Sequence, residues 1–263
     1  MWQHVSAAGS PSLPSQVSQY LSDTGGMASS ASLYVIEGGG NDARDVLDAL
    51  TAGEPRKAAK IIIKFRNKIR VMVTKLSKAG ATDFLIWNVP DLGLAPAVQA
   101  QGPIAVLLAT FVAKTMNAFL DRALARLEQH LPIDILRFDA FSFIDAVAAK
   151  PQAFGFDNAS DPCAVSPVCI NDPGGHFFWD GLHPTTAGHG AIAQAVLQVL
   201  PKAVPAPKAI ARAGEPQPAG ARSAIDGLAR SAQAAALMTK VQSLTRHLTA
   251  LERKRDTLST ASH

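Results

Sequence analysis

Asp180 lies three positions before His183 in the segment 176–189, which reads HFFWDGLHPTTAGH. At this spacing the carboxylate can fold back within one turn and accept a hydrogen bond from one imidazole nitrogen. The other nitrogen is then free to act as a base. The pair therefore predicts two members of a hydrolytic triad, an orienting carboxylate and a general base.

Asn41 is a candidate donor to an oxygen on which negative charge develops during a reaction. Residues 33–37 (LYVIE) are expected to form a short buried strand, and the glycines at 38–40 permit a tight turn after it. Asn41 then lies at the carboxyl end of a strand, the edge at which open α/β sheets bind their ligands. Its side-chain amide can donate a hydrogen bond there.

Both groups lie in motifs that resemble one enzyme family. Residues 39–42 (GGND) resemble the Gly-x-Asn-Asp block of the GDSL (SGNH) esterases and lipases, and residues 180–183 (DGLH) resemble their Asp-x-x-His block. Three segments are similar, in the same order, to the phospholipase/lecithinase/haemolysin branch: NVPDLGLAP (88–96), FGFDNASDPC (154–163) and FWDGLHPTTAGH (178–189). The resemblance covers the first three-quarters of the chain.

The resemblance implies hydrolysis of lipid or other carboxylic esters through an acyl-enzyme, without a cofactor. In that chemistry His183 takes the proton of a nucleophilic Ser, Asp180 holds the imidazole tautomer, and Asn41 stabilises the oxyanion. The full-length parent is expected to be secreted or periplasmic.

The nucleophile is the missing member. The family carries its Ser in a Gly-Asp-Ser block after the first strand, and this sequence contains no Gly-Asp-Ser. Ser6, Ser10 and Ser12 have no strand ahead of them, so none is assigned as the nucleophile. We expect an amino-terminally truncated family member whose Ser is not in this chain. The alternative is a catalytically inactive remnant that acts as a binding or self-association module.

Strands alternate with amphipathic helices along residues 1–200. Strands are expected over 33–37, 83–89 and 133–138, and helices over 16–21, 43–50, 55–79, 104–129, 140–150 and 187–200. Such alternation requires crossover connections and a parallel sheet covered on both faces. The fold class predicted is therefore α/β, a three-layer α/β/α sandwich of the SGNH-hydrolase type that lacks its first strand.

The parallel sheet also explains how distant motifs could meet. Right-handed crossovers bring the carboxyl ends of all strands to one edge, so Asn41, Asn88 and Asp91 are expected at the same rim. The long loop 151–179 is expected to carry Asp180 and His183 to that rim.

The chain is predicted to divide into a hydrolase-like domain (1–200), a linker rich in Pro, Ala and Gly (201–221) and a helical tail (222–263). A helix over 225–258 would place apolar residues at three-four spacing: Leu237, Val241, Leu244, Leu248, Leu251 and Leu258. That stripe could form a homo-oligomer through a coiled-coil-like seam, or it could dock on its own domain.

Charge, motifs and hydropathy give no indication of nucleic-acid binding, nucleotide binding or a membrane-spanning segment. Residues 1–201 contain 15 Lys or Arg and 17 Asp or Glu, whereas residues 202–263 contain 10 and 4. The basic total therefore belongs to the tail and does not predict nucleic-acid binding. The patterns Gly-x-Gly-x-x-Gly and Gly-Lys-Ser/Thr are absent, so a nucleotide is not expected. No transmembrane run and no signal peptide are predicted in this chain.

Cys163 and Cys169 are expected to form a disulfide that closes a small loop, worth about 2 kcal/mol and typical of an oxidising compartment. Two unpaired thiols are the alternative. A metal site is not expected, although four residues nearby are ligand types: His176, Asp180, His183 and His189. Their spacing matches no zinc motif. A metal-dependent hydrolase is the remaining alternative.

Overall fold

The computed structural model describes residues 11–200 and 232–260. Its sheet has three parallel strands, β1 (Leu33–Ile36), β2 (Asp83–Trp87) and β3 (Asp134–Phe138), in the order β1-β2-β3. Crossover helices connect the strands, so their carboxyl ends share one edge. The predicted α/β class and parallel sheet are confirmed.

Helices make up most of the described chain. They are α1 (Leu13–Asp23), α2 (Gly40–Thr51), α3 (Pro55–Lys78), α4 (Pro96–Gln99), α5 (Pro103–His130), α6 (Ala140–Ala149), α7 (Pro167–Asn171), α8 (Thr186–Val199) and α9 (Ala232–Thr260). The segment 151–179 was predicted to be a loop. It contains α7 and three 3₁₀ turns, and a Pro at the first or second position of α7 and of two of these turns favours such short helical starts.

One face of the sheet packs against α2, α3 and α5. The strands contribute Ile36, Phe84, Ile86 and Ile135 to this core. Helix α3 buries residues spaced three or four apart, which is the reason for its amphipathic sequence. It ends before Gly80, which has φ +118°, and a Cβ at Gly80 would lie 2.5 Å from the Ala28 carbonyl oxygen.

The opposite face is covered over β2 and β3 but not over β1. Leu85 and Phe138 pack against the apolar side of α8, including Ile192. On β1, Val35 has 57% of its surface exposed. Helices therefore lie on both faces of two strands, while β1 forms an open edge of the described sheet.

Helix α5 is long and apolar enough to cross a membrane by length and composition, the one such helix in residues 11–200 and 232–260. The sequence predicted no such run. Ten residues of α5 are buried, including Val112 and Met116, which have no exposed surface. Its composition is accounted for by its place in the core between the sheet and its neighbouring helices.

Helix α9 packs along α3 and α5. Leu244 is fully buried and Leu248 nearly so. Glu252 forms an ion pair with Arg122 of α5 at 3.6 Å. This part of the leucine stripe is therefore used within the chain, and a homo-oligomer through α9 stays a prediction. The predicted linker, 201–221, lies outside the described residues.

We expect Leu244→Ala to lower the free energy of unfolding by about 3 kcal/mol, because it leaves a cavity between α9 and α3. Urea denaturation measures the change. Met238→Ala is the matched control on the same helix, since Met238 is 55% exposed and surface truncations usually change stability by less than about 0.5 kcal/mol. Equal effects of the two variants would contradict the docking of α9.

Candidate active site

Asp180 and His183 are joined by a hydrogen bond within one turn. Nδ1 of His183 lies 2.8 Å from Oδ2 of Asp180. The other carboxylate oxygen, Oδ1, accepts hydrogen bonds from the backbone N–H groups of Leu182 and His183, each at 2.7 Å. Both oxygens are thereby fixed, and the His183 side chain remains 62% exposed.

The electrostatics of the pair favour an ionised carboxylate. Partial burial acts to raise the pKa of Asp180, but the hydrogen bonds from the backbone and ring of His183 and from the backbone of Leu182 outweigh it, so the pKa is lowered. Nδ1 of His183 then donates its proton to Asp180. Nε2 is left as the acceptor nitrogen, which is the form a general base requires.

A small hairpin-like turn positions the pair. Phe178 and Pro184 form an antiparallel bridge, and the N–H of Trp179 donates to the His183 carbonyl at 2.8 Å. Thr185 then caps α8, because its Oγ1 accepts from Gly188 N–H at 3.0 Å and donates to the carbonyl of His176 at 2.7 Å. The buried Phe178 and the capped helix hold the turn between them.

The turn is seated on α4. The N–H of Ala97 donates to the Gly181 carbonyl at 3.0 Å. A Cβ at Gly181 would lie 2.8 Å from the Ala97 Cβ, so this position favours glycine. Leu182 belongs to the same apolar cluster as Leu47 of α2. The cluster therefore connects the turn to the helix that contains Asn41.

Asn41 is the second residue of α2, just beyond the carboxyl end of β1, and it is exposed. Gly39 precedes this helix with φ +114°, and a Cβ there would lie 2.7 Å from the Phe65 ring. Asn41 forms no hydrogen bond to Asp180 or His183 in the described structure. The structure thus brings Asp180 and His183 together, while the role of Asn41 stays a prediction.

Asn88 and Asp91, which were expected at the same rim, stabilise the loops after β2. Asn88 donates to Asp139 Oδ1 at 2.7 Å and accepts from Phe141 N–H at 3.0 Å. Asp91 is buried, and its Oδ1 accepts from the N–H of Gly93 and the hydroxyl of Thr110. These bonds account for both residues as loop and helix caps.

Asp145 of α6 is a titrating group that the sequence did not indicate. Partial desolvation of the carboxyl group raises its pKa to about 6, and the negative charge of Asp91 adds to the rise, while Lys114 opposes it. Asp91 and Asp145 are 54 positions apart in the sequence, and no local motif connects them.

We expect Asp145→Asn to raise the melting temperature by about 1–3 °C at about pH 8, and to leave it unchanged near pH 4. The folded protein binds the Asp145 proton more tightly than the unfolded chain, whose Asp pKa is about 3.9. The associated stability is therefore present below that pH and lost as the pH rises through 6. Solvent screening keeps the change small. Thermal melts at the two pH values measure it, with Asp134→Asn as the control, and equal shifts at both would contradict it.

Cys163 and Cys169 form a disulfide with a Cα–Cα distance of 5.2 Å. The bridged loop is bound to the turn, because Cys163 N–H donates to the Phe178 carbonyl at 3.0 Å and Ala164 N–H donates to the Trp179 carbonyl at 2.7 Å. Four apolar side chains near it are exposed: Val165, Val168, Ile170 and Trp179. The loop therefore exposes apolar side chains and is hydrogen-bonded to the two residues that precede Asp180.

We expect the double variant Cys163→Ser/Cys169→Ser to lower the free energy of unfolding by about 2 kcal/mol, because the bridge restricts the unfolded chain over a short loop. Urea denaturation under oxidising conditions measures the loss. Reductant should produce the same loss in the unmodified chain and no further loss in the variant. Identical stability of the two chains without reductant would contradict a stabilising disulfide.

The residues that suggested a metal site are not gathered into one. Among the residues that the structure describes, there is no group of three or more His, Cys, Asp or Glu side chains that could hold a metal ion. His176 contributes its carbonyl to Thr185, and His189 is exposed on α8.

The chain is similar to known hydrolases. The family model for the GDSL-like lipase/acylhydrolases matches residues 4–196. The thermolabile hemolysin of Vibrio parahaemolyticus is 30% identical over 142 residues, which cover 47% of this chain and 33% of the hemolysin. Two GDSL esterases/lipases of Arabidopsis thaliana are 25% and 28% identical, over 50% and 42% of this chain and 40% and 34% of their own. The chain thus spans between a third and two-fifths of the length of these relatives.

Proposed function

Because this chain belongs to the GDSL-like lipase/acylhydrolase family, as its motifs predicted, we propose that it hydrolyses carboxylic esters with Asp180 and His183 as its acid–base pair. The observation that carries the proposal is the 2.8 Å bond between His183 Nδ1 and Asp180 Oδ2. It leaves Nε2 of an exposed imidazole available to a hydroxyl group. The family fold further leads us to propose that the described sheet and helices belong to a three-layer α/β/α sandwich.

In the proposed mechanism, Nε2 of His183 removes the proton of a Ser hydroxyl as its oxygen attacks the ester carbonyl. The ionised Asp180 stabilises the imidazolium that forms, and Asn41 donates to the oxyanion of the tetrahedral intermediate. His183 then protonates the departing alcohol, and the acyl group remains on the Ser. Water, deprotonated by His183, releases the acid.

The Ser of this mechanism is proposed to come from a Gly-Asp-Ser block, which the 263 residues do not contain. No Ser hydroxyl in the described residues forms a hydrogen bond with His183. This observation also favours the second candidate, a catalytically inactive remnant that acts as a binding or self-association module. The two candidates differ in whether a supplied Ser restores hydrolysis.

The substrate is proposed to be a lipid or another ester with an apolar acyl chain. The exposed Val165, Val168, Ile170 and Trp179 support this, because they are apolar side chains of the bridged loop and of the turn that carries the pair. The curated relatives are named as a hemolysin and as esterases/lipases. The disulfide supports a secreted or periplasmic location for the parent protein.

The test is to join the chain behind a segment that carries the family's Gly-Asp-Ser block. We expect hydrolysis of p-nitrophenyl butyrate, together with labelling of that Ser by a fluorophosphonate. The 263-residue chain by itself should show neither.

Failure of the joined protein to hydrolyse or to be labelled, although folded, would favour the inactive remnant. Labelling of the unjoined chain would show a nucleophile within it. Inhibition by a chelator with resistance to the fluorophosphonate would favour a metal-dependent hydrolase.

A further inference from the structure

Helix α3 concentrates the positive charge of residues 1–201. It carries nine of their 15 Lys and Arg residues and none of their 17 Asp and Glu residues. The net charge of residues 1–201 is near neutral and therefore does not reveal the concentration of positive charge on α3. One of the nine, Arg66, is buried; Lys68 is half-buried and the other seven are exposed.

A groove of about 440 Å³ lies beside α3, bounded by the start of α1 and by α9. Its cationic lining consists of Lys60, Lys64 and Lys68, which are spaced four residues apart on one side of the helix. Its apolar lining consists of Pro14, Ile63, Val71 and Leu251. The groove therefore combines a row of lysine amines with an apolar lining.

A second groove, of about 510 Å³, adjoins the first at Lys60. Arg56 and Lys57 add two further cations to its lining. Arg56 Nε donates to Nε2 of His247 on α9 at 3.1 Å, and His247 Nδ1 lies 2.7 Å from the Ser243 carbonyl. The cationic surface therefore continues along the line where α9 packs on α3.

Acidic partners within the chain neutralise some of these cations and not others. Lys68 pairs with Asp42 at 3.0 Å, and Lys57 pairs with Glu54 at 2.9 Å. Lys60 and Lys64 form no ion pair with the residues that the structure describes. Two amines without an ion-pair partner among the described residues therefore line the first groove together with its apolar side chains.

The chemistry of the groove fits an amphiphile with an anionic head. Lysine amines attract phosphate groups, while lysine stems and aliphatic side chains favour the apolar layer below the head groups. Val71 is 42% exposed and Ile63 half-buried, so apolar surface is accessible between the amines. We propose that the α3 groove is a docking surface for an anionic phospholipid bilayer, with Lys60 and Lys64 on the lipid phosphates. This surface does not depend on the proposed ester hydrolysis.

A lipid surface explains the lining better than a nucleic acid does. Single-stranded nucleic acids are held by base stacking on aromatic side chains as well as by positive charge, and none of the eight residues that line the first groove is aromatic. Contact with a phosphodiester backbone would not bury the apolar lining of the groove in an apolar environment. Contact with the acyl region of a bilayer would, and that burial is favourable.

The experiment is flotation of the full 263-residue chain with vesicles of phosphatidylcholine, either pure or containing phosphatidylglycerol. We expect binding about tenfold tighter, or more, to the anionic vesicles and a loss of this preference at high salt. Lys60→Glu/Lys64→Glu should weaken that binding about 25-fold or more, since each lysine near an anionic surface contributes about fivefold. Val71→Ser should weaken it by about two- to threefold.

The matched control is Arg126→Glu/Lys150→Glu, which makes the same charge change at exposed residues of α5 and directly after α6 that line neither groove, and it should cost at most about fivefold. Circular dichroism melts verify that the variants fold. Equal binding to both kinds of vesicle, or equal losses in the two double variants, would overturn the proposal. Tighter binding of a DNA oligonucleotide or an acidic peptide, lost in Lys60→Glu/Lys64→Glu, would assign the groove to that partner instead.

Discussion

Replacing His183 with alanine is expected to lower kcat for p-nitrophenyl butyrate by about 10⁶-fold in the chain joined to a Gly-Asp-Ser segment. Without the imidazole, no group removes the Ser proton or protonates the departing alcohol. The effect on KM should be small, because His183 is exposed and contributes little to the binding of the acyl chain. Steady-state kinetics and the rate of fluorophosphonate labelling measure both effects.

His189→Ala is the matched control, since His189 is an exposed histidine on α8, six positions further along, and the variant should retain full activity. In the unjoined chain, which should show no hydrolysis above the uncatalysed rate, His183→Ala should change nothing measurable, because members of a triad act as a unit and lose most of their effect when one is missing. A loss of less than about tenfold in the joined protein would mean that His183 is not the base.

The Asp180–His183 pair could be predicted from the sequence because its geometry is local. All three hydrogen bonds of the carboxylate come from residues 182 and 183, within one turn. The spacing of an Asp three positions before a His thus contains nearly all the necessary information. The alternation of strands and amphipathic helices similarly indicated the parallel sheet, because periodicity depends on nearby residues.

Relations between distant segments could not be predicted in this way. The turn around His183 reaches α2 through a cluster that contains Leu47 and Leu182, which depends on how α4 and α5 pack. Asp145 comes close to Asp91 only after α6 folds back beside the end of β2. Neither proximity leaves a local signal in the sequence. The sequence therefore indicated that the site residues lie at the carboxyl edge of the sheet, but not which of them are in contact.

Helix α9 and the α3 groove illustrate the same limit. The three-four spacing of leucines indicated a helix, but the choice between a partner chain and its own domain required the position of Leu244 against α3 and α5. The charge of α3 was visible in the sequence and was obscured by summing over 201 residues. Its importance depends on the position of Lys60 and Lys64 on one groove, where neither has an acidic partner among the described residues.

Asp180→Asn is expected to lower kcat of the joined protein by about 10⁴-fold while leaving the fold intact. The amide is nearly the same shape as the carboxylate, and its oxygen can still accept from the N–H groups of Leu182 and His183. However, it carries no charge to stabilise the imidazolium, and its NH₂ group favours the wrong tautomer of His183 if it faces the ring. Kinetics near neutral pH, with Asp172→Asn as an exposed control in the same segment, measure the loss.

The lowered pKa of Asp180 also determines how the stability difference between the unmodified chain and Asp180→Asn depends on pH. Its stabilising bonds are present above the unfolded Asp pKa of about 3.9 and are lost as the pH falls through the lower folded value. The unmodified chain should therefore be more stable than Asp180→Asn in urea at neutral pH, and the difference should vanish in strong acid. If the difference persisted there, the ionised carboxylate would not be its source, and Asp180 would act through shape alone. A near-normal kcat for Asp180→Asn would likewise remove the carboxylate from the proposed mechanism and leave His183 to be oriented by the backbone of the turn.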